Sequence, residues 1–272
     1  MILDTIAAAT RIRVDKAKES LPLPELKKML YEGNMLKRFN DRESFAFEKA
    51  LAKKVDDSGS STFAFICEVK KASPSKGIIA EKFPYLTIAK DYVEAGADAI
   101  SVLTEPDYFQ GSDAYLTEIS KNVSIPVLRK DFTIDEYQIY EAKLLGADAV
   151  LLICSLLETE VLTLYLNLCR ELELSALVEA HSETEVQSAL RAGARVIGVN
   201  NRNLQTFEVD LSNSIRLSSM IPEEIIYVAE SGIRTAEDIH ALKAAGVNAV
   251  LIGETLMRSS DKKQQLEAFR NA

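Results

Sequence analysis

A short turn that recurs four times limits what this chain can fold into more than any other feature. Ala95-Gly96-Ala97-Asp98 returns as Leu145-Gly146-Ala147-Asp148, as Ala192-Gly193-Ala194-Arg195 and as Ala245-Gly246-Val247-Asn248, with the glycines 50, 47 and 53 residues apart. Each copy follows a stretch of helical period and precedes a short apolar run. It therefore reads as a helix end, a glycine able to take positive φ, and entry into a strand. From Phe63 onward the chain carries eight such runs, at 63–70, 99–104, 125–128, 149–155, 176–179, 196–199, 225–229 and 249–252. Amphipathic stretches such as 135–145 lie between most of them. Strand–helix alternation implies βαβ units and a parallel sheet. The turns fall before the second, fourth, sixth and eighth strands, a fourfold period that points to a closed (βα)8 TIM barrel rather than an open sheet. No Gly-x-Gly-x-x-Gly follows a strand, which weighs against a dinucleotide-binding fold.

Residues 1–60 stand outside this alternation. Ile2, Leu3, Ile6 and Ile12 have the spacing of an amphipathic helix, Pro22 and Pro24 are expected to break it, and 26–30 and 44–54 read as further helical pieces. The polar run 56–61 is expected to form a flexible lead into the first strand. The expectation is one barrel domain over 1–272, with 1–60 as an N-terminal helical extension packed on it. A net charge of −9 argues against nucleic acid as a partner, yet leaves room for a small anionic substrate in a locally positive pocket. No apolar run approaches the roughly 20 residues that span a bilayer, and the N-terminus lacks the basic-then-apolar pattern of a signal peptide. A cytoplasmic protein without membrane contact is expected. Cys67, Cys154 and Cys169 read as small core hydrophobes. With only His181 and His240, and no Cys/His cluster, no metal site is expected. His181 reads as the cap of the next helix and His240 as a helix-surface residue.

The chemistry gathers at the strand ends. Glu68 and Lys70 close the first strand and, two residues apart, project the same way. The pair is either a salt bridge at the barrel mouth or part of a site, because buried charge is costly unless paired or used. Ser73-Pro74-Ser75-Lys76-Gly77 follows at once and offers hydroxyls, amides and a cation. If Leu128 faces inward, so does Lys130, while Arg129 faces the helices. The same phase places Glu179 inside. Asn200, Arg202 and Glu230 end the sixth and seventh strands. Lone residues of these types are as often solvated or structural, but five strand ends converging polar groups is how a parallel barrel builds an active site. Ser231-Gly232 and Gly253-Glu254 lie in the loops that commonly bind phosphate in such barrels. Two lysines in one pocket are expected to lower each other's pKa. Glu254 is awkward beside a phosphate, so its side chain is expected to turn away and leave only its amide facing the ligand.

The segments 68–75, 103–105 with 108–112, 128–132, 177–179, 198–202 and 229–233, in this order, resemble the indole-3-glycerol phosphate synthase family. The resemblance spans nearly the whole chain, including Ile2-Leu3-Asp4 and Pro24-Glu25-Leu26. It implies ring closure of 1-(2-carboxyphenylamino)-1-deoxyribulose 5-phosphate with loss of carbon dioxide and water, and no cofactor. On this resemblance Lys130 is the general acid, and Glu179 and Glu68 are acid/base carboxylates. Lys70 binds substrate anions, and Asn200 holds hydroxyls. Ser73 and Arg202 receive the anthranilate carboxylate, Glu230 and Ser231 shape the site, and Gly232, Gly253 and Glu254 face the phosphate. A monomer is expected, with association with other pathway enzymes left open. A sibling barrel such as a phosphoribosylanthranilate isomerase would share the fold and phosphate loops but lack the Glu68/Lys70 and Lys130/Glu179 set. A non-catalytic barrel would carry apolar residues at some of those positions, and this chain does not.

Overall fold

The structure, a computed structural model, describes residues 2–32, 42–52 and 62–272. Eight parallel strands close into a barrel: β1 (Ala64–Val69), β2 (Ala99–Leu103), β3 (Val127–Lys130), β4 (Ala149–Ile153), β5 (Ser175–Ala180), β6 (Val196–Asn200), β7 (Ile226–Glu230) and β8 (Ala249–Ile252). Each strand pairs with the next in sequence, and β8 returns to β1 with Ala64 opposite Ala249 and Cys67 opposite Ile252. Among the described residues three helices precede the barrel, α1 (Ile2–Ser20), α2 (Leu23–Glu32) and α3 (Ala46–Leu51). Around it lie α4 (Tyr85–Glu94), α5 (Asp113–Asn122), α6 (Glu136–Leu145), α7 (Thr159–Glu171), α8 (Glu183–Ala192), α9 (Ser212–Leu217), α10 (Ala236–Ala244), α11 (Glu254–Arg258) and α12 (Lys262–Arg270). Among the described residues no helix is long and apolar enough to cross a membrane.

The recurring turn explains the closure. Gly96, Gly146, Gly193 and Gly246 all take φ between 83° and 91°, where an L side chain would be strained. The polar residue two places on then grips the preceding strand. Asp98 Oδ2 accepts from Phe65 N at 2.9 Å, Asp148 Oδ2 from Val127 N at 2.9 Å and Asn248 Oδ1 from Tyr227 N at 2.9 Å. The backbone N–H of each of these three residues donates back to the carbonyl of the same strand residue. Arg195, in the third copy, uses its backbone carbonyl to accept from Ile226 N, and its side chain reaches Glu48 of α3 at 2.9 Å and stacks over Phe45.

Inside the barrel Ile66, Leu128, Leu151, Leu177, Val228 and Leu251 belong to one apolar cluster, which Phe47 and Leu51 of α3 join. Both side chains are fully buried, each contributing about 2 kcal/mol of hydrophobic stabilisation. Arg42 ties the chain entering α3 to the barrel through Asp148 (2.8 Å), the carbonyls of Ser120 and Val123 (3.0 Å each) and the Ser120 hydroxyl.

Several boundaries differ from those read in the sequence. The third strand runs over Val127–Lys130 instead of 125–128, because Pro126 has no N–H for the ladder; its carbonyl still accepts from Ile100 N. The fourth stops at Ile153, and Cys154–Leu156 turn into a 3-10 helix. Pro24 does not break a helix. It sits in the first turn of α2, where its missing N–H removes no helical bond. The stretch after β1 pairs Ala72–Ser73 with Gly77–Ile78 as a small antiparallel hairpin. The run 56–61, expected to be flexible, lies outside the described residues.

Replacing Arg42 by Ala strips a buried ion pair of its cation, a change that costs about 3 kcal/mol or more. Urea unfolding of Arg42→Ala against the parent will show that loss as a lower midpoint. An unchanged midpoint would mean that Phe47 and Leu51 alone hold α3 in place.

Candidate active site

The period-two geometry of the strands decides which side chains reach the barrel's C-terminal mouth. Leu128 and Lys130 point inward while Arg129 lies among the helices, bonded to Gln138 O, Asp113 and Glu141. A cavity of about 650 Å³ opens at this end. Glu68, Lys70, Lys130, Glu179, Asn200 and Glu230 line it, as do Ser73, Arg202, Ser231, Gly232, Gly253 and Glu254. All twelve residues singled out in the sequence are thus brought to one cavity. Its apolar wall comes from Phe109, Phe132, Leu204 and, unanticipated, Ile2, Leu3 and Ile6 of α1.

Two charge clusters share the floor. In the first, Lys130 Nζ lies 3.0 Å from Glu179 Oε2 and 3.3 Å from Glu230 Oε2. Asn200 Nδ2 donates to Glu179 Oε1 at 3.2 Å, and Asn200 Oδ1 accepts from Arg202 N at 3.0 Å. In the second, Lys70 Nζ meets Glu68 Oε2 at 2.5 Å. Glycines make room for both. A Cβ on Gly198 would overlap Glu230 Oε1, and one on Gly253 would overlap Glu68 Oε2 and sit 2.8 Å from Lys70 Nζ.

The electrostatics correct one expectation. Lys130 is not lowered by a neighbouring lysine. Burial does disfavour its charge, but Glu179, Glu230 and Glu68 outweigh burial and hold it well above the ordinary lysine value. Glu179 is driven the other way from its neighbour Glu230. Burial opposes its charge, yet Lys130 and His181 prevail and keep it far below the usual carboxylate range. Glu230 is pushed up to about 7, by burial first, with Lys130 opposing and Glu179 reinforcing. Its Oε1 lies against Gly198 and accepts no hydrogen bond among the described residues. Neighbouring carboxylates with pKa values pushed apart are the usual mark of an acid/base division.

His181 is a second correction. It does not cap α8; Ser182 does, accepting from Glu185 N at 3.3 Å. The imidazole lies between Glu179 Oε1 (3.4 Å) and Glu185 Oε2 (3.1 Å), and these carboxylates overcome burial and raise it to about 10. Its position two residues after Glu179 was the available signal.

The loops after β7 and β8 hold the other end of the cavity. Ser231 and Gly232 take φ of 66° and 90°, a strained conformation for the serine. Gly253 precedes α11, the helix that Glu254 opens. The Glu254 side chain had been expected to turn away. The residue lines the cavity, and its Oε1 is held 3.1 Å from Arg258 Nε, with Lys76 Nζ at 4.0 Å. Arg202 is half-buried, and burial lowers its pKa against the pull of Glu254. Its guanidinium donates to Phe207 O at 3.2 Å. Asp131, next to Lys130, binds Arg13 of α1 at 2.6 Å and the Thr104 hydroxyl at 2.6 Å.

The family model for indole-3-glycerol phosphate synthase matches residues 3–269. The indole-3-glycerol phosphate synthase of Ruminiclostridium cellulolyticum is 57% identical over 272 residues, all of both chains. That of Lachnoclostridium phytofermentans is 52% identical over 276 residues, covering 100% of this chain and 99% of its own. Among solved structures, a 3-hexulose-6-phosphate synthase superposes with a TM-score of 0.62 at 16% identity, over 77% of this chain and 99% of its own. A thiamine phosphate pyrophosphorylase from Pyrococcus furiosus gives 0.56 at 14%, over 77% and 94%. At such identities these two speak for the barrel alone.

Two outcomes follow from the geometry. Removing the Lys130 charge takes away the group that opposes protonation of Glu230, so in Lys130→Met the Glu230 midpoint moves above 7. A carboxyl-carbon NMR titration of 13C-labelled protein will read the upward shift, and a fall would contradict the arrangement. Gly253→Ala forces Glu68 Oε2 and Lys70 Nζ to move. Turnover is expected to drop about tenfold or more, in line with the sensitivity of active sites to displacements near 1 Å; unchanged kinetics would show that the pair can shift freely.

Proposed function

The chain belongs to the indole-3-glycerol phosphate synthase family, and we propose that the charged strand ends divide the family's reaction among them as follows. The reaction converts 1-(2-carboxyphenylamino)-1-deoxyribulose 5-phosphate to indole-3-glycerol phosphate, carbon dioxide and water. The observation that carries the assignment is the buried Lys130 ammonium bridging Glu179 and Glu230, whose pKa values are pushed in opposite directions.

Ring closure begins when the aromatic carbon bearing the carboxylate attacks the ribulose carbonyl, whose oxygen becomes an alkoxide. Lys130 donates to that oxygen. Its raised pKa makes it a poor acid toward water, but a developing alkoxide is more basic than an amine and draws the proton across. Loss of carbon dioxide then restores the aromatic ring. The new hydroxyl must leave as water, which needs a second proton. Glu230, which keeps its proton to about pH 7, supplies it. Glu179, ionised throughout, removes the proton whose loss forms the indole double bond. Asn200 orients Glu179, and Glu68 holds Lys70 toward the substrate's anions.

The two ends of the substrate need separate anchors. Gly232, Gly253 and the Glu254 amide fit the phosphate, with Ser231 shaping the turn beside them. Ser73 and Arg202 fit the anthranilate carboxylate, and α1 with Phe109 and Phe132 covers the aromatic ring. We read residues 1–60 as an extension of one barrel domain, the protein as a monomer, and the cytoplasm as its compartment.

Indole fluorescence during incubation with the carboxyphenylamino-deoxyribulose phosphate tests the assignment. Folded wild-type protein will give a rise that Lys130→Ala slows about 100-fold or more, the scale of losing a donor to a developing oxyanion. A rise that survives the substitution would move the acid to Lys70.

A further inference from the structure

One imidazole beside Glu179 has no part in the chemistry above. His181 stands two residues beyond Glu179, on the same side of the extended chain, and its ring is fixed from behind. Glu185, in the first turn of α8, accepts from the His181 backbone N–H at 2.8 Å, and the same oxygen lies 3.1 Å from Nδ1. Asn213 of α9 donates to the His181 carbonyl at 3.2 Å. With Nδ1 committed to Glu185, Nε2 faces Glu179 Oε1 at 3.4 Å, buried and without a closer partner among the described residues.

We propose that His181, locked by Glu185, is a positioning residue that orients the Glu179 carboxylate and keeps it ionised once Lys130 has given up its proton. The proposal rests on reading Glu179 as the base. In the resting site two cations face that carboxylate, Lys130 from β3 and His181 from its own strand end. The other ionisable groups around it are the carboxyl of Glu230 on β7 and the Cys154 thiol after β4, with Glu68 of β1 on the far side, beside Lys130 and Glu230. When Lys130 transfers its proton to substrate, it becomes a neutral amine. A buried carboxylate among other carboxyls then needs a remaining cation to stay charged, and His181 is the one in place. At 3.4 Å its Nε2 is near enough for charge attraction. Burial disfavours a charged ring, but Glu179 and Glu185 together hold the proton on it.

Steady-state kinetics on His181→Gln, His181→Ala, Glu179→Gln and the His181→Ala/Glu179→Gln double variant decide the matter. Both His181 variants are expected to lose kcat about tenfold, part of the roughly 10²–10⁴ that a general base supplies, with KM little changed. His181→Gln keeps a side-chain nitrogen donor and guards against a folding defect. In the Glu179→Gln background the His181→Ala effect should vanish, the mark of a residue acting through another. An undiminished effect there, or wild-type kcat in both His181 variants, would overturn the proposal. A fully active Glu179→Gln would overturn the assignment of the base itself, and the proposal with it. The chain has two histidines, so long-range 1H–15N spectra of the wild type and His181→Gln identify the ring. It should carry both protons at pH 8, and a neutral ring would also overturn the proposal.

Discussion

Everything at the mouth of this barrel depends on strand register, and register is fixed at the opposite end. Because side chains alternate, a slip of one residue would turn each inward group out. It would bury Arg129 in the barrel and send Lys130 to the helices. Asp98, Asp148 and Asn248 guard against this by gripping Phe65 of β1, Val127 of β3 and Tyr227 of β7, each the first or second residue of its strand, with side chain and backbone together. β1, β3 and β7 carry Glu68, Lys130 and Glu230 at or next to their last residue. The turns that looked like mere punctuation in the sequence are therefore what aims the charged residues three positions along each gripped strand.

Holding those charges in a dry floor is the other requirement. Isolated buried ions are prohibitive, and paired ones break even only with good geometry. Three cations face this floor, Lys70, Lys130 and His181, against three carboxylates paired to them, Glu68, Glu179 and Glu185. Glu230 is the surplus acid. It shares Lys130 with Glu179, has one oxygen without a hydrogen bond among the described residues, and is the carboxyl whose pKa rises. A proton on Glu230 is how the cluster balances. The same imbalance leaves a protonated carboxyl beside an ionised one near neutral pH, so on the proposed division of roles the stability problem and the chemical task have one solution.

Much of this was legible because period two and glycine chemistry are local. The eight strands, the inward phase of Lys130 and Glu179, and the positive φ of the repeat glycines all follow from short windows. What depended on side chains meeting across the fold was not. Lys130 was expected to be lowered by Lys70, but the nearer carboxylates decide its charge, and their distances exist only after closure. The rule that placed Glu68 and Lys70 on one side also applies to Glu179 and His181; a helix-capping reading hid it, although Ser182 is the better cap. The contribution of Ile2, Leu3 and Ile6 to the cavity could not be read from a helix whose docking site lies about a hundred residues away in sequence. The meaning of Arg195 in the third repeat likewise needed Glu48 in view.

The segment before the barrel touches both of its ends. Phe47 and Leu51 close the bottom, where Arg42 and Glu48 bind two residues of the recurring turns, Asp148 and Arg195. At the top, α1 lines the cavity, and its Arg13 holds Asp131, the residue next to Lys130. Asp131 sits with Thr104 and Arg129 in a buried network whose charges keep its carboxyl below the usual range. Moving α1 would therefore pull on the backbone that carries Lys130. An amphipathic helix outside the alternation is in this way mechanically part of the site, and its apolar face supplies a wall of the cavity that the charged strand ends could not provide.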